Sequence, residues 1–489
     1  MALDKRKRWI ALVVLCLGEL MIVLDTTIVG VALPSIREDL RFTEATLVWV
    51  VNAYMLTYGG FLLLGGRLGD LYGQRRLFVG GTLFFSAASL VCGLASSQWL
   101  LVAARFAQGL GGAVVSSIAL SLIMNLFQEP AERARAMGVY GFVCAAGGSI
   151  GVLVGGLLTS GLSWHWIFLV NLPIGAAVCA FCVALVPDDR PRGGERLDVS
   201  GAVLITLALM FAIYGIVNGN DAGWTSPQTL GFIGAGAALF VMFVLVEAFA
   251  RVPLMPLGLF RLRNLSSASV IGALWSAAMF AWFFLSALYM QLVLGYSPLQ
   301  VGLAFLPSNL IMAACSLGVS AKLVMRFGIR GPFVGGLLCA AVGLALFARA
   351  PVDGSLWIDV LPGMLLLGLG AGIAFNPVLL AAMSDVASSD SGLASGVVNT
   401  SFMMGGALGL AVLASLAAGR TEALAASGAP PLPALNGGYQ AAFFVGAIFA
   451  LAACAIGARF FRTRAASGPA DPHAAQGAIA PPTQGLERH

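Results

Sequence analysis

The stretch MGVYGFVCAAGGSIGVLV, residues 137–154, returns at 395–412 as SGVVNTSFMMGGALGLAV, 258 residues later. Taken alone, Gly147-Gly148-Ser149-Ile150-Gly151 has two incompatible readings. Its G-x-S-x-G spacing fits the nucleophile elbow of a hydrolase. Its glycines at 147, 151 and 155 fit the close approach of two membrane helices. The repeat decides between them: Ser149 becomes Ala407, whereas Gly147, Gly148 and Gly151 return as Gly405, Gly406 and Gly409. What recurs is a small-residue face, not a hydroxyl. An elbow also needs a strand-to-helix turn and a histidine partner, and His165 is the single histidine near a membrane stretch.

Two further segments recur in the same order. LYGQRRLFVGG (71–81) returns as RFGIRGPFVGG (326–336), and QGLGGAV (108–114) as LGLGAGI (367–373), at offsets of 255 and 259. Such spacing implies two homologous halves with two extra helices between them.

Composition places those halves in a bilayer. Of 489 residues, 59% are hydrophobic and 10% charged, and mean hydropathy is +0.93. Soluble domains carry about 25% charged residues, so little of this chain can face water. The 61 glycines fit membrane helices, which pack through small residues. The eight cysteines all lie in apolar stretches; Cys179 and Cys182 form a C-x-x-C within one turn of an apolar helix, not beside a strand. With three histidines (165, 473 and 489), no metal site is expected. Lys5-Arg6-Lys7-Arg8 before an apolar run resembles the start of a signal peptide. The run continues from Trp9 to Leu33, however, and reads as an uncleaved first spanning helix.

Apolar runs of spanning length sit near 10–33, 46–66, 77–96, 99–127, 137–159, 164–186, 198–217, 229–249, 265–290, 299–325, 332–350, 356–383, 392–417 and 439–461, fourteen in all. The positive-inside rule tests that count. With both termini cytoplasmic, 22 Lys and Arg residues fall inside, four outside (Arg37, Arg41, Arg349, Arg420) and Arg105 within a span. A miscounted helix would scramble that ratio. Residues 465–489, rich in Pro, Ala and Gly, read as a disordered cytoplasmic tail.

The chain has no P-loop, because Lys5, Lys7 and Lys322 follow Asp, Arg and Ala rather than Gly. Unless a separate ATPase partner drives it, transport has to use an ion gradient, worth about 2.3 kcal/mol per charge per 100 mV. Duplicated halves with a site between them are the plan of secondary transporters.

Over residues 9–461 the chain resembles the major facilitator superfamily, and within it the fourteen-helix drug:proton antiporters of the QacA/EmrB type. Leu24 to Pro34 (LDTTIVGVALP) is similar to the first-helix signature, with Gly30 where Asn is usual. Gly66 to Arg76 (GRLGDLYGQRR) matches the cytoplasmic loop pattern G-x-L-x-D-x-x-G-x-[RK]-[RK]. LVAARFAQGLGG (101–112) matches the fourth-helix pattern, and WHWIFLVNLPIG (164–175) resembles the sixth helix, with His165 where Arg is usual. The fifth-helix antiporter motif, G-x-x-x-G-P-x-x-G-G, is present as Gly147, Gly151, Gly155 and Gly156, but Val152 replaces the proline. Val152 restores a backbone hydrogen bond and predicts a straighter helix.

Intramembrane ionisable groups default to functional hypotheses. Asp25 is read as a proton- or cation-coupling carboxyl, which takes a proton from one side and releases it when wetted on the other. The alternative is a structural carboxylate bonded to Thr26, Thr27 or a neighbouring helix. Glu19 lies about 9 Å earlier on the axis and about 120° around it, as a second protonation site or a counter-charge for a cationic substrate. Arg105 is read as the partner of a first-helix carboxylate until substrate or protonation breaks the pair; the resemblance implicates it in proton transfer. Glu247 reads as a surface ion pair with Arg251. By resemblance, Gly66, Asp70, Gly73, Arg75 and Arg76 form a latch between the halves in the outward-facing state. Candidates for the substrate cavity are Asn52, Tyr54, Trp275, Trp282, Tyr289, Asn376 and Asn399, though Trp and Tyr also anchor interfaces.

The expectation is an all-α polytopic membrane protein of the major facilitator fold with 14 transmembrane helices. Its parts are an N-terminal six-helix half (1–187), two linking helices (188–264), a C-terminal six-helix half (265–464) and the tail (465–489). It is read as a monomeric proton-coupled exporter of amphiphilic or cationic small molecules, without cofactor or nucleic-acid partner. A proton-coupled importer or narrow metabolite transporter of the same fold is the main rival; an intramembrane hydrolase and a non-transporting scaffold are distant ones.

Overall fold

The computed structural model describes residues 5–461 except 128, 187–198, 251–252, 254, 256, 385 and 387–390. The stretch expected to be a disordered tail and the boundary at 187/188 lie outside the described residues. The described chain is helical, with no strand. In order come α1 (Lys5–Leu40), α2 (Glu44–Tyr72), α3 (Gln74–Gly93), α4 (Gln98–Leu126), α5 (Pro130–Gly161), the short α6 (Trp166–Leu169) and α7 (Asn171–Leu185). Then follow α8 (Val199–Val217), the short α9 (Gly219–Ala222), α10 (Pro227–Phe249), α11 (Arg263–Leu288), α12 (Pro298–Ala314), α13 (Ser320–Phe327), α14 (Arg330–Phe347), α15 (Leu361–Met383), α16 (Ser391–Ala426) and α17 (Pro431–Phe460).

Eleven of these helices, some with a continuing turn, are long and apolar enough to cross a membrane; Thr46–Leu62, Ile150–Gly161 and Pro298–Ala314 are shorter apolar stretches in α2, α5 and α12. The expected tenth span is interrupted by a π-turn at Cys315–Val319, which separates α12 from α13.

Short connections make successive long helices antiparallel, so the bundle has a near end, carrying the start of α1, and a far end. Sequence fixes the far-end starts through side-chain caps that satisfy exposed N–H groups. Thr43 and Thr46 form a capping box on α2, Ser97 accepts from Leu100 N–H, Ser226 from Thr229 N–H, and Ser297 with Gln300 boxes α12 behind Pro298. At the near end the repeated loops turn on Gly73 (φ 95°) and Gly328 (φ 74°), a backbone region open to glycine without Cβ strain.

Packing sorts the helices into two groups. In the first, α1 packs on α5, α4 and α7, α2 on α4, and α3 on α4 and α7. In the second, α11 packs on α16, α17 and α15, α12 on α15, and α14 on α15 and α17. The groups meet where α5 crosses α12 and α2 crosses α16, while the α8–α10 hairpin lies against both α2 and α16.

The glycine face brings α5 close against α1. A Cβ on Gly147 would sit 3.0 Å from Val23, on Gly151 3.0 Å from Leu24 O, and on Gly155 2.8 Å from Ile28 O, so α5 lies backbone-to-backbone on α1. In the second group, a Cβ on Gly405 would sit 2.7 Å from Ala273 O, and one on Gly409 would overlap Ala277. Gly156 points instead to α12, where its Cβ would meet Pro298 O at 2.8 Å. The Ser149 side chain lies outside the described residues.

Hydrogen bonds cross between the groups toward the far end. Leu299 N–H donates to Ser160 Oγ (3.2 Å), Gln291 Nε2 to Val31 O (2.9 Å) and Asn52 Nδ2 to Ala407 O (3.0 Å); midway along α2, Thr400 Oγ1 donates to Gly59 O (3.2 Å).

Candidate functional site

A buried polar network occupies the interior of the first group. Asp25 on α1 is 0% exposed and Arg105 on α4 1%. Arg105 Nη1 lies 2.6 Å from Asp25 Oδ2, and its Nε donates to Val50 O on α2 at 2.9 Å. The other carboxylate oxygen, Oδ1, accepts from Gln108 Nε2 (2.7 Å) and Asn171 Nδ2 (3.1 Å). Gln108 Oε1 accepts from Arg105 Nη1 (2.6 Å), and Gln108 and Asn171 both donate to Ser89 Oγ, at 2.6 and 3.3 Å. Side chains of α4 and α7 thus converge on the α1 carboxylate, and Ser89 of α3 accepts from both amides behind it.

Aromatic rings close the network. The Arg105 guanidinium stands 4.4 Å from the Tyr54 ring centroid and 5.7 Å from that of Phe168, distances at which a desolvated cation is stabilised by the ring face. A carboxylate and a guanidinium buried together escape the large penalty of an isolated charge. Any proton arriving at Asp25 competes with Arg105 for the same oxygens.

Glu19, on the same helix, is 4% exposed, with the hydroxyls of Ser116 and Tyr140 beside it; among the described residues its Oε2 accepts no hydrogen bond. It does not share the Asp25 network. Thr26 and Thr27, the expected structural partners of Asp25, donate instead to backbone carbonyls of α1, from Ile22, Val23 and Leu24.

The cavity candidates divide. Tyr54 is fully buried as the platform beneath Arg105, and Asn52 ties α2 to α16. Trp282 packs among Phe283, Phe305 and Phe347, and the buried Tyr289 donates to Pro351 O at 2.7 Å; both brace the second group rather than line an open cavity in this conformation. Trp275 is buried as well. Asn376 donates to Ser316 O at 2.8 Å, on the π-turn after α12, and Asn399 is partly exposed on α16.

In the loop motif, the side chains at Gly66 and Asp70 lie outside the described residues. Arg75 Nη1 donates to Val186 O (3.1 Å) at the end of α7, so this arginine binds within its own group. Glu247 is 3% exposed, where the sequence reading had a surface ion pair; its Oε2 accepts from Met255 N–H at 3.0 Å, and Arg251 lies outside the described residues.

Sequence reasoning gave no role to Gln108, Asn171 or Ser89. The signal was present for Gln108: it follows Arg105 by three residues on an otherwise apolar helix, and i and i+3 share a face. Asn171 and Ser89 stand alone in apolar runs, and only their neighbours in space assign them.

Comparison with known proteins covers nearly the whole chain. The family model for the Major Facilitator Superfamily matches residues 15–410. The puromycin resistance protein pur8 of Streptomyces alboniger is 38% identical over 457 residues, 92% of this chain and 91% of that protein. The cephamycin export protein CmcT of Amycolatopsis lactamdurans is 38% identical over 446 residues, 90% of each. Among solved structures, a bacterial homologue of the human lysosomal transporter Spinster superposes with a TM-score of 0.63 at 17% identity, covering 94% of this chain and 98% of that one. At that identity the likeness speaks for the fold alone.

Proposed function

The chain belongs to the major facilitator superfamily and is a multi-pass membrane transporter, not an enzyme; we propose that it is a proton-coupled exporter of amphiphilic drugs or antibiotics. The observation that carries the coupling reading is the enclosed Asp25–Arg105 pair. In a bilayer interior ionisable residues are costly and mark ion pathways and proton relays. In this mechanism a proton on Asp25 releases Arg105, substrate binding and the rocking of the two groups alter access, and deprotonation restores the pair. Glu19, a buried carboxyl apart from that pair, serves as a second proton site or meets a cationic substrate. Export is supported by relatives of similar length named for antibiotic resistance and export.

The architecture proposed for this cycle has fourteen spanning helices, two six-helix halves (1–187 and 265–464) and the inserted α8–α10 pair. Support comes from matched packing: α1 on α5 corresponds to α11 on α16, α2 on α4 to α12 on α15, and α3 on α7 to α14 on α17. With both termini cytoplasmic, a reading the distribution of Lys and Arg supports, the far end is extracellular. Its Leu299–Ser160 and Gln291–Val31 bonds then seal an inward-facing state. The Gly66–Arg76 loop acts as a latch in the opposite state.

An importer is the second reading, favoured by Val152, which leaves α5 without an interior proline. The deciding experiment follows a pH-sensitive dye in acidified everted vesicles while amphiphilic compounds are added, with Asp25→Asn in parallel. Compound-dependent proton release that vanishes in the variant is expected. Release that persists in Asp25→Asn removes Asp25 from the coupling path. Substrate accumulation in intact cells would replace export with import.

A further inference from the structure

The inserted hairpin is fastened on one side and open on the other. At its far end, Asn220 Nδ2 donates to Ser415 O on α16 (2.8 Å), and Ser415 Oγ donates back to Ile216 O (3.0 Å). Toward the near end α8 presses on α2, where Leu64 packs with Ala202 and Gly60 leaves room for Thr206. Drawn to α16 above and to α2 below, the hairpin leaves a gap against the far ends of α2 and α4. That gap is a cavity of about 500 Å³, within the size range of drug-sized ligand sites.

Its walls have a definite chemistry. Phe42, Trp49 and Trp99 line it from the first group, and Phe211, Tyr214 and Phe232 from the hairpin; among the described residues no charged side chain does. Trp99 is 79% exposed, so the cavity is open to the surface of the bundle. Its polar lining is Thr46, whose hydroxyl is engaged in the cap of α2, with Gln98 and Asn218. Gln98 donates its Nε2 to Leu40 O and Arg41 O, and Asn218 its Nδ2 to Tyr214 O. Among the described residues, neither amide oxygen receives a hydrogen bond. The slot therefore offers flat ring faces and two amide-oxygen acceptors.

We propose that this cavity binds an uncharged aromatic amphiphile bearing an O–H or N–H donor, entering from the membrane interface. The rings stack on the aromatic walls, and the donor reaches the amide oxygens of Gln98 and Asn218. A phospholipid acyl chain has no donor for those oxygens and no flat face for the walls. A cation would find ring faces but no carboxylate among the lining residues to neutralise it. The site is independent of the Asp25 network, so it stands whatever the transported ion.

The test is photolabelling of the full-length protein in phosphatidylcholine nanodiscs with 4-(hydroxymethyl)benzophenone, adducts being mapped by mass spectrometry. Adducts are expected on the segments holding Trp99–Val102 and Met210–Tyr214. They should fall at least fivefold in Val102→Trp, which fills the cavity, with labelling elsewhere unchanged. Met210→Trp serves as a second filler should the first not fold. 4-Methylbenzophenone, which lacks the donor, should label these segments several-fold less, and Asn218→Val should narrow that preference. Adducts spread evenly over lipid-facing helices, or indifferent to both fillers, overturn the site. Equal labelling by the methyl compound, or stronger labelling by a trimethylammonium derivative, overturns the ligand class. Labelling that appears only after bound phospholipid is stripped assigns the cavity to lipid and overturns it too.

Discussion

Breaking the Asp25–Arg105 pair from one side should harm the protein more than removing it whole. At 2.6 Å, Coulomb's law with an effective dielectric constant of about 20 gives about 6 kcal/mol of attraction. Single truncations elsewhere cost about 3–5 kcal/mol, because the abandoned charge stays buried. In Arg105→Met, Asp25 keeps only Gln108 and Asn171 as donors. In Asp25→Leu, the guanidinium keeps Val50 O, Gln108 Oε1 and the Tyr54 face. In the double variant no charge remains, and Gln108 and Asn171 still donate to Ser89 Oγ. The loss should then shrink to about 1–3 kcal/mol, the scale of a few imperfectly met polar groups. A thiol-reactive maleimide dye reads this on heating in detergent, since Cys16, Cys92, Cys179, Cys182, Cys315 and Cys454 are buried until the fold opens. Cys92 reports from the site itself, its Sγ being 3.7 Å from Gln108 Oε1. Unfolding midpoints should rank wild type first, then the double variant, then both singles. A double variant below both singles would refute the pairing, because independent losses simply add.

Two further outcomes follow from the packing. Gly409→Leu, whose Cβ would overlap Ala277, should destabilise by at least the 1–3 kcal/mol typical of overpacking, whereas Gly335→Leu, with nothing within 4 Å of its Cβ, should leave the labelling midpoint of the same dye assay unchanged. Ser160→Cys with Leu299→Cys joins the far ends of α5 and α12, which are in hydrogen-bond contact. Oxidative crosslinking of that pair should stop transport, and a reductant should restore it; transport that continues through the crosslink would show that these ends need not part.

Periodicity and repetition alone determined much of this protein. Runs of about twenty apolar residues can satisfy their backbone in lipid only as helices, so the helical class followed from composition. The duplication of 137–154 at 395–412 made Gly147 and Gly151 a packing face, because a repeat that keeps the glycines but not Ser149 has no use for a hydroxyl. Asp25 and Arg105 stood out as charges in apolar helices, visible without any neighbour. Tertiary structure alone decided what surrounds them. Gln108, Asn171 and Ser89 are ordinary polar residues until α3, α4 and α7 gather them into one network around a carboxylate. It also moved Tyr54 from candidate cavity wall to a buried platform for Arg105, and put Glu247 inside. Sequence reports each residue's cost in lipid, a property of one side chain; which groups offset that cost depends on which helices cross, and at what height.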